Sequence, residues 1–125
     1  MVEITASTRG ATDISPREFL ELSPKPLLID VRSELEYSFG HAAGAVNLSL
    51  PRIMMGQVSF LRRWVLPEWF RELPRDRAIA LICLTAHRSP MAATQLVAQG
   101  YHTVYNVTGG MREWWKLSLP THSPS

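Results

Sequence analysis

Short apolar runs separated by turn residues recur along the chain, and each has the length of a strand. They cover residues 26–31, 77–83 and 103–107, and another short run ends the glycine-containing segment 41–47. Continuous apolar runs of this length are typical of strands that are buried on both faces of a sheet. The pattern therefore predicts several buried strands.

The segments between these strands carry helix start and stop signals. Ser15 and Ser33 can cap helices that run to about residues 23 and 39, and Ser89 can cap a helix that Gly100 closes. A last helix is predicted over residues 111–117. Strands that alternate with helices at this spacing indicate an α/β fold, with a central parallel sheet flanked by helices on both faces.

Residues 53–73 are less regular, although apolar residues recur in them at helical spacing. The pattern predicts one helix that Pro67 stops, followed by one more amphipathic turn. The apolar positions of the first helix are Met54, Val58, Phe60, Leu61, Trp64 and Val65. The simplest interpretation is a helix that covers one face of the sheet. The alternative is an exposed partner or dimer surface, because the segment holds two of the four tryptophans.

Composition limits the domain count and the possible partners. The chain has 125 residues, of which 46% are hydrophobic and 19% charged, and this favours one globular domain with an ordered core over about 12–120 and a loose tail at 121–125. The net charge is only +2, without a clustered basic face, so we expect no nucleic-acid binding. No signal-peptide pattern and no apolar run of roughly 18 residues is found, so we expect a cytoplasmic protein outside the membrane.

The only cysteine, Cys83, ends an apolar strand and precedes a short loop and a helix. One cysteine forms no internal disulfide and no cysteine-rich zinc site, and we expect no metal and no cofactor. The first backbone N–H groups of a helix lack intrahelical partners and favour negative charge, and Arg88 adds a full positive charge. Such surroundings stabilise a thiolate, so we hypothesise that Cys83 is a nucleophile.

Three ordered motifs carry a family resemblance over nearly the whole chain. The first is Leu28-Ile29-Asp30-Val31-Arg32 with Glu36-Tyr37, Gly40-His41, Gly44-Ala45 and Asn47; the second is the loop from Cys83 to Ser89; the third is Gly109-Gly110, Trp114 or Trp115, and Leu119-Pro120. Together they resemble the rhodanese-like (sulfurtransferase) domain. The resemblance implies that the loop cysteine takes a sulfane sulfur from thiosulfate or another persulfide donor and passes it to a thiophilic acceptor, such as cyanide in vitro.

The length of the loop between Cys83 and Arg88 favours sulfur transfer over phosphatase or arsenate reductase activity. Four residues lie between Cys83 and Arg88, whereas five separate the equivalent residues in the cell-cycle phosphatases and arsenate reductases of this fold. The shorter loop suits a sulfur atom better than a tetrahedral phosphate. Ala86 stands where many family loops have glycine, and positive φ there would cost about 1 kcal/mol. Leu84 and Thr85 replace the basic residues of some thiosulfate-using members, so a protein persulfide stays open as the donor.

The remaining candidate residues have structural or binding interpretations. Arg88 is a candidate for substrate contact or for anchoring the loop, and Asp30 with Arg32 is interpreted as an internal ion pair that holds a strand end near the site. The substrate would be bound mainly by backbone N–H groups of the loop residues Leu84, Thr85, Ala86, His87 and Ser89. His87 either tunes the thiolate or points to solvent. The rival hypothesis is a non-catalytic module for protein binding or redox sensing.

Overall fold

Six strands form the central sheet of the computed structural model, which describes residues 7–8, 10–85 and 87–123. Their order across the sheet is β1 (Ser7–Thr8), β2 (Ala11–Ile14), β7 (Val104–Val107), β6 (Ile79–Ile82), β3 (Leu27–Asp30) and β5 (Val46–Asn47). Strands β2, β7, β6, β3 and β5 are parallel to one another, and β1 is antiparallel to β2. The predicted α/β fold with a parallel sheet is confirmed.

Helices cover both faces of this sheet, because the apolar side chains of one strand alternate between two cores. Ile79 and Leu81 of β6 belong to one cluster, whereas Ala80 and Ile82 belong to the other. The helices are α1 (Pro16–Glu21), α2 (Glu34–Phe39), α3 (Leu50–Met55), α4 (Arg62–Val65), α5 (Glu68–Arg71), α6 (Ser89–Ala98) and α7 (Gly110–Lys116). The first core includes residues of α3, α5 and α6, and the second includes residues of α1 and α7.

Two predicted helix starts are confirmed by their hydrogen bonds. The Ser15 and Ser33 side chains each accept a hydrogen bond from the backbone N–H three residues later, and the glutamates at those positions, Glu18 and Glu36, bond back to the serine N–H groups. These capping boxes satisfy backbone donors that the helix itself leaves open. Helix α2, which ends before Gly40, begins at Glu34, shortly after β3 ends at Asp30.

The prediction of one helix through residues 54–65 is wrong. Helix α3 ends at Met55, and α4 does not begin before Arg62. The helix breaks at Gly56, where a Cβ atom would lie 2.5 Å from Leu66, so the Leu66 side chain occupies the space beside the glycine. Ile53, Leu66 and Phe70 are buried against the sheet.

The outer side chains of the 53–73 segment face away from the core. Phe60 is 76% exposed and Trp64 is 83% exposed. Other residues of the segment therefore cover the face of the sheet, and a partner surface at residues 53–73 stays a prediction.

Two short strands depart from the sequence analysis. No strand is predicted from the sequence before residue 26, yet β2 pairs in parallel with β7, because a strand of four residues is too short to show a period. The expected loose tail contains β8 (Thr121–His122), which pairs antiparallel with β4 (His41–Ala42). Pro124 and Ser125 lie outside the described residues. Within the described part of the chain, no helix is long and apolar enough to span a membrane.

Candidate active site

Cys83 lies at the carboxyl edge of the sheet, one residue after β6, and its side chain is 1% exposed. The loop that follows ends at Arg88, which is the N-cap residue of α6. Leu84 and Thr85 are half-buried and His87 is exposed, whereas Ala86, the predicted position of strain, lies outside the described residues. The strand, loop and helix thus follow the order that the sequence predicted.

The beginning of α7 holds the carbonyl groups of this loop. The backbone N–H of Met111 donates to the Cys83 carbonyl at 2.7 Å, and that of Arg112 donates to the Leu84 carbonyl at 2.9 Å. In a trans peptide the N–H points opposite to the C=O, so the N–H groups of Leu84 and Thr85 point away from α7. Within residues 7–8, 10–85 and 87–123, neither N–H has a protein acceptor. These donors suit an anionic sulfur or a substrate oxygen.

Gly110 permits the close contact between the loop and α7. Its φ is +59°, and a Cβ atom there would lie 2.4 Å from the Cys83 carbonyl oxygen and 2.5 Å from that of Thr85. Only glycine leaves room for backbone at these distances. Gly110 belongs to the third family motif, but its contact with the cysteine loop is visible only in the structure.

A chain of buried polar side chains begins at the sulfur of Cys83. The thiol donates to Ser89 Oγ at 3.4 Å, the Ser89 hydroxyl donates to Asn106 Oδ1 at 2.5 Å, and Asn106 Nδ2 donates to Asp13 Oδ1 at 3.1 Å. Ser89 was predicted to cap α6. The prediction is wrong, because Ser89 is the first residue of the helix and its hydroxyl is directed at Asn106.

Arg88 forms a two-pronged ion pair with Glu36 of α2. The guanidinium Nη1 and Nη2 atoms lie 2.6 and 3.0 Å from the two carboxylate oxygens. The hydrogen bond from Arg88, helped by bonds from Ser33 and opposed by burial, lowers the pKa of Glu36 from 4.5 to about 2. The pKa of Arg88 is raised, first of all by its hydrogen bond to Glu36. The pair joins the end of the cysteine loop to α2.

The pairing predicts a specific loss of stability in acid. Because the pKa of Glu36 is lowered on folding, its contribution is complete above about pH 4.5 and disappears as the pH falls toward about 2. We expect the melting temperature of Glu36→Gln, which preserves the capping box, to lie below that of the wild type at neutral pH and to approach it near pH 2. Glu34→Gln, in the same helical turn, is the control, and parallel pH profiles of wild type and Glu36→Gln would contradict the prediction.

A second ion pair, between Asp30 and Arg32, fixes the end of the neighbouring strand β3. Arg32 Nη2 lies 2.8 Å from Asp30 Oδ2, and both side chains are almost fully buried. Arg32 also donates to the Gly40 carbonyl, and Asn47 Nδ2 donates to the carbonyls of Asp30 and Arg32. These hydrogen bonds join Asp30, Arg32 and Asn47, so the pair organises the segment that leads into α2.

The structure brings the cysteine together with residues that sequence reasoning missed. Glu36, Asn106 and Asp13 were not assigned to the site, and Asn106 gave only a weak signal as an amide inside an apolar strand. Among the described residues, no group of three or more His, Cys, Asp or Glu side chains is arranged to hold a metal ion.

Comparison with known sequences identifies the family. The model of the rhodanese-like domain matches residues 15–117. A sulfurtransferase from Allochromatium vinosum is 31% identical over 98 residues, which cover 78% of this chain and 79% of that protein. A thiosulfate sulfurtransferase GlpE from Haemophilus influenzae is 30% identical over 110 residues, covering 86% of this chain and 91% of that protein.

Solved structures agree with this match. A rhodanese-related protein from Thermoplasma volcanium superposes with a TM-score of 0.70 at 26% identity, covering 90% of this chain and 99% of that one. A human single-domain sulfurtransferase has the same fold, with a TM-score of 0.69 at 24% identity and coverage of 86% and 97%. The matched family model, the relatives and the parallel sheet with its cysteine loop lead to one conclusion: this chain belongs to the rhodanese-like domain family.

Proposed function

We propose that this chain is a sulfurtransferase that works through a persulfide on Cys83. The Cys83 thiolate attacks the sulfane sulfur of the donor, a new S–S bond forms, and the rest of the donor leaves with the electron pair of the broken bond; from thiosulfate the leaving group is sulfite. A thiophilic acceptor then attacks the outer sulfur, and Cys83 leaves as a thiolate. The two steps balance without a metal or a redox cofactor.

The observation that carries the proposal is the orientation of the cysteine loop. Helix α7 holds the carbonyls of Cys83 and Leu84, so the adjoining N–H groups point to the opposite side. A persulfide carries negative charge on its outer sulfur, and backbone N–H donors in a partly buried site stabilise such charge without having to reorganise. The loop therefore provides what the persulfide requires.

The burial of Cys83 favours transfer from the outer sulfur over direct chemistry at Sγ. The cysteine is 1% exposed, so a large acceptor has little access to Sγ itself. A disulfide-type S–S bond is about 2 Å long, so an added sulfur stands about 2 Å beyond Sγ and is the atom that an acceptor attacks in this proposal.

Positive charge near the loop supports an anionic donor such as thiosulfate. A surface pocket is lined by Thr85 of the loop together with Arg112 and Lys116 of α7, although Glu113 lines it as well. Arg88, which Glu36 holds, acts in this proposal by anchoring the loop. A lone thiol that works as a nucleophile fits a reducing compartment such as the cytoplasm.

The intact mass of the protein tests the proposal. The purified chain is incubated with thiosulfate, mercaptopyruvate or a low-molecular-weight persulfide, weighed, and then treated with cyanide. We expect a mass gain of one sulfur atom, lost to cyanide as thiocyanate, and no gain after prior alkylation of the thiol. If no donor adds sulfur, the enzyme assignment fails. The rival binding module, using the exposed Phe60 and Trp64 of residues 53–73, would then be the better proposal.

A further inference from the structure

The polar chain behind Cys83 is built by three adjacent strands of the sheet. The register pairs Asp13 of β2 with Asn106 of β7, and Asn106 with Leu81 of β6, two residues before Cys83. The contact between Asp13 and Asn106 therefore lies within the sheet, and Ser89, the first residue of α6, meets Asn106 from the end of the cysteine loop. Ser89 is fully buried and Asn106 is 4% exposed, so solvent does not compete strongly for their hydrogen bonds.

The carboxylate of Asp13 determines the direction of each hydrogen bond in the series from Cys83 through Ser89 and Asn106 to Asp13. A carboxylate only accepts, so Asp13 requires the amide nitrogen of Asn106 to face it. The amide oxygen of Asn106 then faces Ser89 and takes the proton of its hydroxyl. Ser89 is left with a lone pair toward Cys83 and accepts the S–H proton. In this arrangement the Ser89 hydroxyl accepts from the thiol of Cys83 and donates to Asn106.

We propose that Asp13 and Asn106 are positioning residues that make Ser89 a two-position hydrogen-bond switch for Cys83. While Sγ carries a proton, the Ser89 hydroxyl donates to Asn106. When Sγ becomes a thiolate, the hydroxyl turns and donates to the sulfur. Charge-assisted hydrogen bonds are roughly twice as strong as neutral ones, so the turn is favourable only while the sulfur is charged.

This inference rests on the proposed sulfur transfer and deepens its second step. As the acceptor bonds to the outer sulfur, the S–S bond breaks and its electron pair stays on Sγ. The Ser89 hydroxyl stabilises this leaving thiolate by donating a hydrogen bond, and its proton is not transferred. Charged groups near the switch include Asp13, which ends this series of hydrogen bonds, the Glu36–Arg88 ion pair at the start of α6, and Arg112, Glu113 and Lys116 of α7 beside Thr85.

The first test measures the discharge of a preloaded persulfide. Wild type, Ser89→Ala and Ser89→Thr are loaded, checked by mass, and mixed with cyanide in a single turnover. We expect Ser89→Ala to discharge about tenfold more slowly than wild type, because a hydrogen bond to a charged group is lost, and Ser89→Thr to retain most of the rate. Thr94→Val removes a hydroxyl that donates to the Pro90 carbonyl in the same helix, and it should discharge like wild type.

The second test uses a change of sign that a merely structural role would not produce. Without a competing acceptor, the Ser89 hydroxyl donates to Sγ more often. We therefore expect iodoacetamide to alkylate Cys83 faster at pH 7 in Asn106→Leu than in wild type, and more slowly in Ser89→Ala. Asp13 is half-buried, and Asp13→Asn is an isosteric change. We expect Asp13→Asn to shift the alkylation rate in the same direction as Asn106→Leu, and it keeps the test available if Asn106→Leu does not fold.

The outcomes separate the two proposals. If the wild type takes up no sulfur, the proposed function fails, and the alkylation test still reports on the switch. If the wild type loads and discharges but Ser89→Ala does so at the same rate, the switch is overturned and sulfur transfer stands. The switch is also overturned if Ser89→Ala changes the alkylation rate in the same direction as Asn106→Leu or Asp13→Asn.

Discussion

Replacing Cys83 by serine is expected to reduce sulfur transfer to the rate of the uncatalysed reaction. A hydroxyl is a far weaker nucleophile than a thiolate at neutral pH, and it forms no persulfide. The substitution is nearly isosteric, and the new hydroxyl still reaches the hydroxyl of Ser89, which contacts Sγ in the wild type. We expect the fold to persist. Thiocyanate formation from thiosulfate and cyanide gives the rate, and thermal unfolding gives the stability.

Two outcomes would contradict the Cys83→Ser prediction. Residual turnover well above the background reaction would mean that the sulfur is carried by another group. A large fall in melting temperature would mean that the lost activity reflects unfolding, so activity must be compared at a temperature where both proteins are folded. Thr94→Val serves again as the matched control, because it changes a side chain of α6 away from the sulfur.

Replacing Gly110 by alanine is expected to lower sulfur transfer about a hundredfold, because the cysteine loop is displaced. The added Cβ would lie 2.4 Å from the Cys83 carbonyl oxygen and 2.7 Å from the Leu84 carbonyl carbon, and both are backbone atoms that cannot rotate away. The loop and α7 must separate, so the hydrogen bonds from Met111 and Arg112 to the loop carbonyls are lost or lengthened. Steady-state sulfur transfer measures this effect.

Gly44 offers a matched control for the backbone strain in Gly110→Ala. Gly44 also has a positive φ, +88°, but a Cβ there meets no atom within 4 Å. Gly44→Ala should therefore lose about 1 kcal/mol of stability from the left-handed conformation alone and keep its activity. If Gly110→Ala and Gly44→Ala lose activity equally, the contact between Gly110 and the loop is not what positions Cys83.

Local patterns predicted much of the fold because the relevant forces are local. The apolar runs at 26–31 and 77–83 contain the observed strands β3 and β6, and the serine caps at Ser15 and Ser33 mark the observed helix starts. Caps depend on backbone groups within four residues, and buried strands depend on a continuous apolar run. Both can therefore be recognised without knowing the rest of the structure.

The errors arose where a distant residue decides the local conformation. The helix predicted through 54–65 ends at Gly56, and the side chain of Leu66 fills the space that a Cβ at this position would occupy. The strand Thr121–His122 forms because His41 and Ala42 offer an edge to pair with. Ser89 begins α6 without capping it, because Asn106, 17 residues away in sequence, takes its hydroxyl proton. Helical spacing and cap propensity carry no information about such partners.

The sequence by itself determined the α/β class, the family resemblance and the position of Cys83 between a strand and a helix, because these follow from local periodicity and from motifs in chain order. Only the tertiary structure decided what surrounds the sulfur. Parallel pairing of β2, β7 and β6 aligns Asp13, Asn106 and Cys83 at one sheet edge, and α7 approaches the loop through Gly110. These neighbours are far apart in the chain, so their contact depends on which strands pair, and the periodicity of a single segment does not determine that.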